Sequence, residues 1–568
     1  MKQFSSIVLL FFLLFVFSTL CPGTLSAEEP TASLYRIESI QYDITGKTLE
    51  RMLDYTSELK KGREFSTKEE LNAYLEAAKQ KLINTRAFDS VEISSTELGN
   101  TAADSISEGI IPVEVLVKTV DTISIMAFPV PKIKNIDQDS TFALKYRDYN
   151  FLGTLQTLRV DAGLFWKGRK TDPDRNFGFN TLIDTNYPFK FLGLNWDLDF
   201  DNEFDYDITR PKKEALSYTN TTGVSAEIPF GDFKLTLGLA QNFYVNSPNN
   251  RRSLENGSHV DDYAYNPEYS ANPDDDTNPY YAVPTNLPFY TSTKPSISMA
   301  FPVILDNPVM GDLYYDMDFS FNANYGNGKN PLLNTRVGPS VSFTTGPVFS
   351  NINWIDNFRS GMSADITAGF GYNFYKNISN PHSISLSASW KGHFILFDFW
   401  GISSRAGLSF TQGIEKAVDA STYGSYLRGI NDSYLVGSRL LYLNVDLPFR
   451  VLEFRPADWW GVKWMRYLHF DLHLSPFIDI ALVKGWEMGP LTEFTAKENL
   501  KLDLKDILMT AGFEFLFFPN QFKSTYLRLS VGWPLTTGPV SQDPRTKGDF
   551  MYKFLRSTEW FFGTGHAY

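Results

Sequence analysis

The sequence predicts a mainly β protein in which a transmembrane antiparallel β-barrel follows one small α+β domain. Three observations carry that reading. Segment after segment alternates apolar with polar residues from about residue 140 to the C-terminus. No run of about eighteen uninterrupted apolar residues occurs beyond the N-terminal segment, so no membrane-spanning helix is available. Aromatic residues nevertheless make up 15% of the chain, with 47 Phe, 29 Tyr and 11 Trp, while mean hydropathy is slightly negative. A barrel reconciles the last two facts, because its strands turn one apolar face to lipid and one polar face to the lumen, with aromatic girdles at both interfaces.

The N-terminus reads as a secretory signal peptide over residues 1–27: Lys2, an apolar run over residues 7–20, then small residues ending in Ala27. Acylation at Cys21 is the alternative to cleavage after Ala27. Cys21 is the only cysteine, so the mature chain contains no disulfide, zinc–thiolate site or cysteine nucleophile. Net charge is −13, and −14 once Lys2 leaves with the signal. That balance argues against a nucleic-acid partner, since phosphate binding needs a basic surface.

Residues 33–120 form the α+β domain. YRIESIQYDI alternates as a strand; residues 48–59 and 66–85 have helical spacing; RAFDSVEIS and IPVEVLVK alternate again. Ser66 and Glu69 are spaced as a capping box, and Leu71, Leu75, Ala78 and Leu82 form the buried stripe of the second helix. The expected order is strand, helix, helix, strand, strand. Such a domain has no room for an enzyme cleft, and its unpaired strand edges are its resource for binding.

AFPVPKIKN, with two prolines, lies within an expected linker over residues 121–139. The barrel is expected over residues 140–568. Phe142, Leu144 and Tyr146 oppose Ala143, Lys145 and Arg147; Leu194, Trp196, Leu198 and Phe200 oppose Asn195, Asp197 and Asp199. Tyr315, Met317, Phe319 and Phe321 oppose Asp316, Asp318, Ser320 and Asn322, and Leu441, Leu443, Val445 and Leu447 oppose Tyr442, Asn444 and Asp446. In the segment 468–479 the even positions Leu468, Phe470, Leu472 and Leu474 mark the lipid side, which turns His469, Asp471, His473, Phe477 and Asp479 inward. The polar stretch 246–286 has no apolar period and reads as a long extracellular loop.

The α+β segment, with GREFSTKEEL before its second helix and TRAFDSVEI after it, resembles a POTRA domain. LKYRDYNFLGT (residues 144–154) is similar to the first hairpin of barrels of the BamA/TamA type, the bacterial surface antigen family. YLRGI (residues 426–430), followed by VGSRLLYLNVDLPF, resembles the family's lumenal loop, whose Arg-Gly pair folds back into the barrel; Ile430 departs from the usual aromatic. FIDIA (residues 477–481) resembles the later strand that supplies the acidic partner. The resemblance implies sixteen strands and a lumenal motif of Leu427, Arg428 and Gly429 with Arg428 paired to Asp479. It implies a lateral seam between a first strand carrying Leu144, Lys145, Tyr146 and Arg147 and a last strand carrying Trp560, Phe562, Gly563, Gly565 and Tyr568. The last strand is similar to the targeting signal of such barrels, although His566 stands where an aromatic is usual.

Carried over as expectations, these features describe a factor of the bacterial outer membrane, with its POTRA domain in the periplasm, that inserts or translocates other polypeptides. Its partners would be unfolded outer-membrane or secreted chains, the lipid bilayer and accessory lipoproteins. The competing readings are a channel or surface antigen without assembly activity, and a dedicated translocator of one secreted partner. No catalytic residues, cofactor or metal are expected. There is no Gly-x-Ser-x-Gly elbow or Walker-type glycine loop, and His469 and His473 read as solvated lumenal histidines with no third ligand.

Overall fold

The structure is a computed structural model. It describes residues 34–98, 110–133, 139–167, 176–208, 216–231, 233–245, 290–307, 310–326, 339–374, 382–412, 426–429, 437–485, 507–535 and 559–564. The expected signal peptide with Cys21, the expected loop over residues 246–286, Ile430, Gly565, His566 and Tyr568 lie outside the described residues.

The chain divides into two compact units; the first holds residues up to 41, 59–77 and 93–117, the second residues 42–58, 78–92 and 118–568. The N-terminal elements are β1 (Leu34–Thr45), α1 (Glu50–Ser57), β2 (Glu64–Phe65), α2 (Lys68–Asn84), β3 (Phe88–Glu97) and β4 (Ile110–Asp121). The strands form one sheet in the order β2-β1-β4-β3, which leaves the ten-residue β3 at an edge. Leu71, Leu75, Ala78 and Leu82 of α2 are all buried, as are alternate residues Val113, Val115 and Val117 of β4. The cap of α2 sits one residue later than the Ser66 and Glu69 spacing predicts. Thr67 Oγ1 accepts from the Glu70 N–H at 3.1 Å, and the Glu70 carboxylate returns to the Ser66 N–H at 2.8 Å. A threonine with a glutamate three residues on offers the same chemistry as serine, so spacing alone could not choose between the overlapping frames.

The rest is a closed barrel. Its strands are β5 (Ile125–Ile133), β6 (Asp139–Asp148), β7 (Leu158–Lys167), β8 (Asn176–Phe191), β9 (Leu194–Asp207), β10 (Leu216–Phe230), β11 (Phe233–Val245), β12 (Tyr290–Asn307), β13 (Gly311–Gly326), β14 (Ser340–Ile355), β15 (Phe358–Asn373), β16 (His382–Phe397), β17 (Trp400–Gln412), β18 (Gly437–Asp446), β19 (Phe449–Phe454), β20 (Phe470–Gly485), β21 (Ile507–Pro519), β22 (Leu527–Pro534) and β23 (Glu559–Thr564). Apart from β18 and β19, each pairs with its neighbours in sequence, and β23 closes on β5. β18 and β19 lie end to end between β17 and β20, interrupted at Leu447 and Pro448, so the described residues make eighteen strand positions. This corrects the sixteen implied by resemblance. An even number is what closing an antiparallel sheet on itself requires.

The first strand also differs from expectation. Residues 125–133, read as linker because of Pro129 and Pro131, pair with β6 at nine consecutive positions. Leu144, Lys145, Tyr146 and Arg147 therefore lie in the second strand, and the barrel closes between β5 and β23. Trp560, Phe562 and Gly563 are in β23, paired on its other side with Val531, Leu529 and Arg528 of β22.

The faces follow the alternation. In β21, Leu508, Thr510, Glu514, Leu516 and Phe518 are buried while Phe513 and Phe515 are 42% exposed. In β6, Phe142 and Leu144 are exposed while Ala143 and Arg147 are buried. An outward belt of large apolar side chains is what contact with a hydrocarbon solvent would select, whereas water would select against it. At one end of the barrel the strands are joined by described short turns such as Leu192–Gly193 and Asp356–Asn357; at the other end most connections fall outside the described residues. No described helix is long and apolar enough to cross a membrane.

Candidate functional site

The inward faces of β18, β20, β21 and β22 converge on one patch. The register sets Asn444 opposite Asp479 and Asp479 opposite Thr510; one step along, Asp446 faces Phe477, Phe477 faces Gly512 and Gly512 faces Gly532. One further step aligns Ser475, Glu514 and Ser530. Pleating points all of these side chains into the lumen, so Asp446, Asp479 and Glu514 come together from three different strands.

Onto this patch comes the segment Tyr426–Gly429. Arg428 grips Asp479 in a bidentate fork, Nε to Oδ2 at 2.9 Å and Nη2 to Oδ1 at 2.6 Å, and its backbone N–H donates to the same carboxylate at 3.0 Å. Its Nη1 reaches Asp446 at 2.7 Å and Glu514 at 3.0 Å. The guanidinium carbon stands 3.7 Å from the centre of the Phe477 ring. Arg528 adds a second cation at 3.3 Å from Glu514. Two arginines thus face three carboxylates, and every one of these side chains is buried. A planar guanidinium can serve three acceptors and a ring face at once, which a lysine ammonium cannot reproduce.

The neighbours of Arg428 fix its approach. Leu427 is fully buried in a cluster with Leu440, Tyr442, Ala481 and Leu508. Tyr426 lies 4.4 Å from Tyr442, with Arg405 over both rings, and its carbonyl accepts from Asn444 Nδ2 at 2.7 Å. Gly429 has φ +90°, and a Cβ there would stand 2.7 Å from the backbone of Gly532. Only a glycine fits both the left-handed backbone and that close approach.

A second constellation surrounds the turn Tyr149–Thr154. The carboxylate of Asp121 takes the Lys47 and Thr48 N–H groups at 2.8 and 3.0 Å and the Thr48 hydroxyl at 2.8 Å. Lys47 Nζ bonds both oxygens of Asp148 at 2.8 and 2.9 Å, and Asn150 bonds Thr48 at 2.7 Å. The Leu49 N–H donates to the Gly153 carbonyl at 2.9 Å, and a Cβ on Gly153 would come within 2.1 Å of the Lys47 carbonyl. The YNFLGT stretch therefore ties residues 46–49 to the barrel. Nearby, Arg147 pairs with Asp161 across β6 and β7.

A third anchorage involves residues 80–89. Arg86, itself at φ +55°, hydrogen-bonds the Lys523 carbonyl, the Asp356 carbonyl at 3.2 Å and Asn357 at 3.0 Å, and stacks 4.2 Å above Trp354. Asn84 and Gln80 bond Asn353 and Trp354. Burial pushes the Arg86 guanidinium down to about 10, so it stays protonated at neutral pH.

Of the residues expected from sequence, Leu427, Arg428, Gly429 and Asp479 meet in the lumen. Leu144 to Arg147 lie in β6, one strand away from the closure between β5 and β23. His469 precedes β20 instead of sharing its face with His473; it accepts the Ala457 N–H at 3.3 Å. His473 is buried, not solvated, between Phe358 at 4.6 Å and Phe518 at 4.8 Å. No group of three potential metal ligands occurs among the described residues. The roles of Glu514 and Asp446 were missed, although each is the acid at an inward position of an alternating run, GFEFLFF and LYLNVDL.

No family model and no curated protein matches the chain. Among solved structures, BamA from Haemophilus ducreyi lacking POTRA domains 1–3 aligns with a TM-score of 0.36 and 14% identity, covering 94% of this chain and 85% of that one. CdiB from Acinetobacter baumannii aligns with a TM-score of 0.45 and 11% identity over 94% and 74% of the two chains. CdiB from Escherichia coli gives 0.34 and 10% over 91% and 89%. The solved structures to which this chain is similar thus include BamA and CdiB.

Proposed function

We propose that this chain is an outer-membrane factor of the BamA/TamA type that inserts or translocates other polypeptides, with a single periplasmic POTRA domain and a lateral seam between β5 and β23. The observation that carries the reading is the Arg428 cluster. A segment connecting two barrel strands returns into the lumen and is clamped by carboxylates from β18, β20 and β21. That arrangement supports the reading because it is the one implied by the resemblance of YLRGI and FIDIA to the family's lumenal loop and its acidic partner strand.

In this reading an extended client first adds to the β3 edge of the N-terminal sheet, then pairs with a strand edge exposed at the opened seam. The barrel's Arg428 latch holds the lumen in shape while the seam parts. The periplasm supplies no nucleotide, so client folding and the transfer of its apolar face into lipid provide the driving force. Depletion of the protein followed by an inventory of the outer-membrane proteome tests the proposal. Broad loss of barrels is the expected result; loss of one exported protein would mean dedicated translocation, and an unchanged inventory would overturn the assembly reading in favour of a channel or surface antigen.

A further inference from the structure

One end of the barrel carries an unusual connection. Three described connections there need only two residues, but β19 and β20 are joined by residues 455–469, RPADWWGVKWMRYLH, folded as α3 (Pro456–Trp460) and a 3₁₀ turn (Lys463–Leu468), the longest described connection at that end. Trp459, Trp460, Trp464 and Tyr467 are each more than half exposed, and Leu468 is 48% exposed. Burying none of these costs the protein solubility unless something other than water meets them.

The segment is held firmly. Arg455 bonds the Phe454 and Phe470 carbonyls at 3.2 and 3.1 Å and pairs with Asp471 at 2.7 Å and Glu453 at 3.1 Å. The Asn520 N–H donates to the His469 carbonyl at 3.0 Å, and Gln521 bonds the Arg466 carbonyl. Its aromatic surface continues the outer face of the barrel without a break: Trp459 packs edge-on against Phe454 at 5.2 Å, Phe454 meets Phe470 at 5.1 Å, and Phe470 meets Phe517 at 4.8 Å. Two exposed cations, Lys463 and Arg466, stand among the indoles, with Asp458 the one acid of the segment. Arg466 lies against Tyr467, its guanidinium 5.1 Å from the ring centre.

We propose that residues 455–469 form a plate that lies in the headgroup layer of the bilayer leaflet at the short-turn end, with the indoles at the acyl boundary and Lys463 and Arg466 on lipid phosphates. Amphipathic rings prefer that boundary, and long cationic side chains extend from it to the phosphates. Continuity with the lipid-facing surface and the local excess of positive charge identify the occupant as lipid. The inference rests on the membrane reading of the barrel.

The test uses the whole chain with Cys21→Ser, one cysteine at a time carrying an environment-sensitive fluorophore, reconstituted into phosphatidylcholine vesicles with and without phosphatidylglycerol. The variants are Trp464→Cys, Leu443→Cys on the mid-barrel outer face, and Lys60→Cys as an exposed site in the first unit. The expected result at position 464 is strong quenching by nitroxides placed near the headgroup, several-fold above position 60, deepened by phosphatidylglycerol and losing that lipid dependence in Lys463→Gln/Arg466→Gln. Quenching at 443 by deep nitroxides with none at 464 would overturn the plate while leaving the barrel reading intact. Absence of quenching at both would overturn both, and quenching at 464 indifferent to phosphatidylglycerol would overturn the phosphate contact.

Discussion

Removing the Arg428 side chain should free its segment without unfolding the barrel. In Arg428→Ala, Asp479 loses both charge-assisted bonds of the fork, Asp446 loses its cation at 2.7 Å, and Glu514 keeps only Arg528 at 3.3 Å. Breaking a buried pair costs about 3–5 kcal/mol, because the remaining charge stays out of water without compensation. At about 1.4 kcal/mol per decade, the population in which residues 426–429 leave the lumen should rise more than a hundredfold. The loss is local, since the barrel ladder does not depend on this segment. Chymotrypsin reads the release directly: cleavage after Tyr426 and Leu427, both held in the lumen in the parent, should accelerate in Arg428→Ala while the heat-modified mobility of the barrel is unchanged. Arg428→Lys should recover only part of the protection, because an ammonium can take one carboxylate without the fork or the Phe477 stack. Cleavage within twofold of the parent would refute the argument, as would equal protection by lysine.

Three further outcomes follow from the geometry. Cysteine pairs between Met126–Phe128 and Trp560–Phe562 should include one that oxidises and blocks activity, whereas Leu144 with Phe562 should not cross-link, since β6 is two strand spacings, about 9.6 Å, from β23 and exceeds disulfide reach; full activity in an oxidised β5–β23 pair would remove the gate. Proline placed in turn at Ser90, Ser94, Ser95 and Thr96 should abolish client cross-linking at the positions whose N–H points off the β3 edge, with circular dichroism unchanged; undiminished capture at every position would point to a binding surface elsewhere. Arg86→Ala, which removes one of the two guanidinium groups over Trp354 and the donor to three acceptors, should raise proteolysis within residues 78–92 by roughly five- to a hundredfold at about 1–3 kcal/mol lost, and an unchanged digest would show that this anchorage is incidental.

What the sequence disclosed was mostly parity. The period of two in β20 places Asp479 inward from the residues alone, and Leu441 and Leu443 outward in β18, because one face must meet lipid along the whole strand. What it hid were the places where a local rule was overridden. Pro129 and Pro131 argue against a strand in isolation, and the nine paired positions of β5 became visible only once β6 was there to pair with. The long-range grip of Lys47 on Asp148 and of Arg86 on the 356–357 and 520–525 turns has no periodic signature at all, since each partner is fixed by tertiary placement. His473 sits in an inward position like its acidic neighbours, yet parity cannot say that Phe358 and Phe518 close over it.

Those two prolines carry a consequence for how the barrel closes. A sheet tolerates proline where the absent donor would have faced outward from an edge strand. For β5, outward means toward β23. Along nine residues with donors on alternate positions, two of the few that could bridge the closure are chemically deleted, each worth on the order of 1 kcal/mol as a hydrogen bond. The cylinder is therefore built with a perforated line: a place where circumferential tension finds fewer bonds to break than at any fully laddered joint, and where a foreign backbone approaching β23 competes against an incomplete partner.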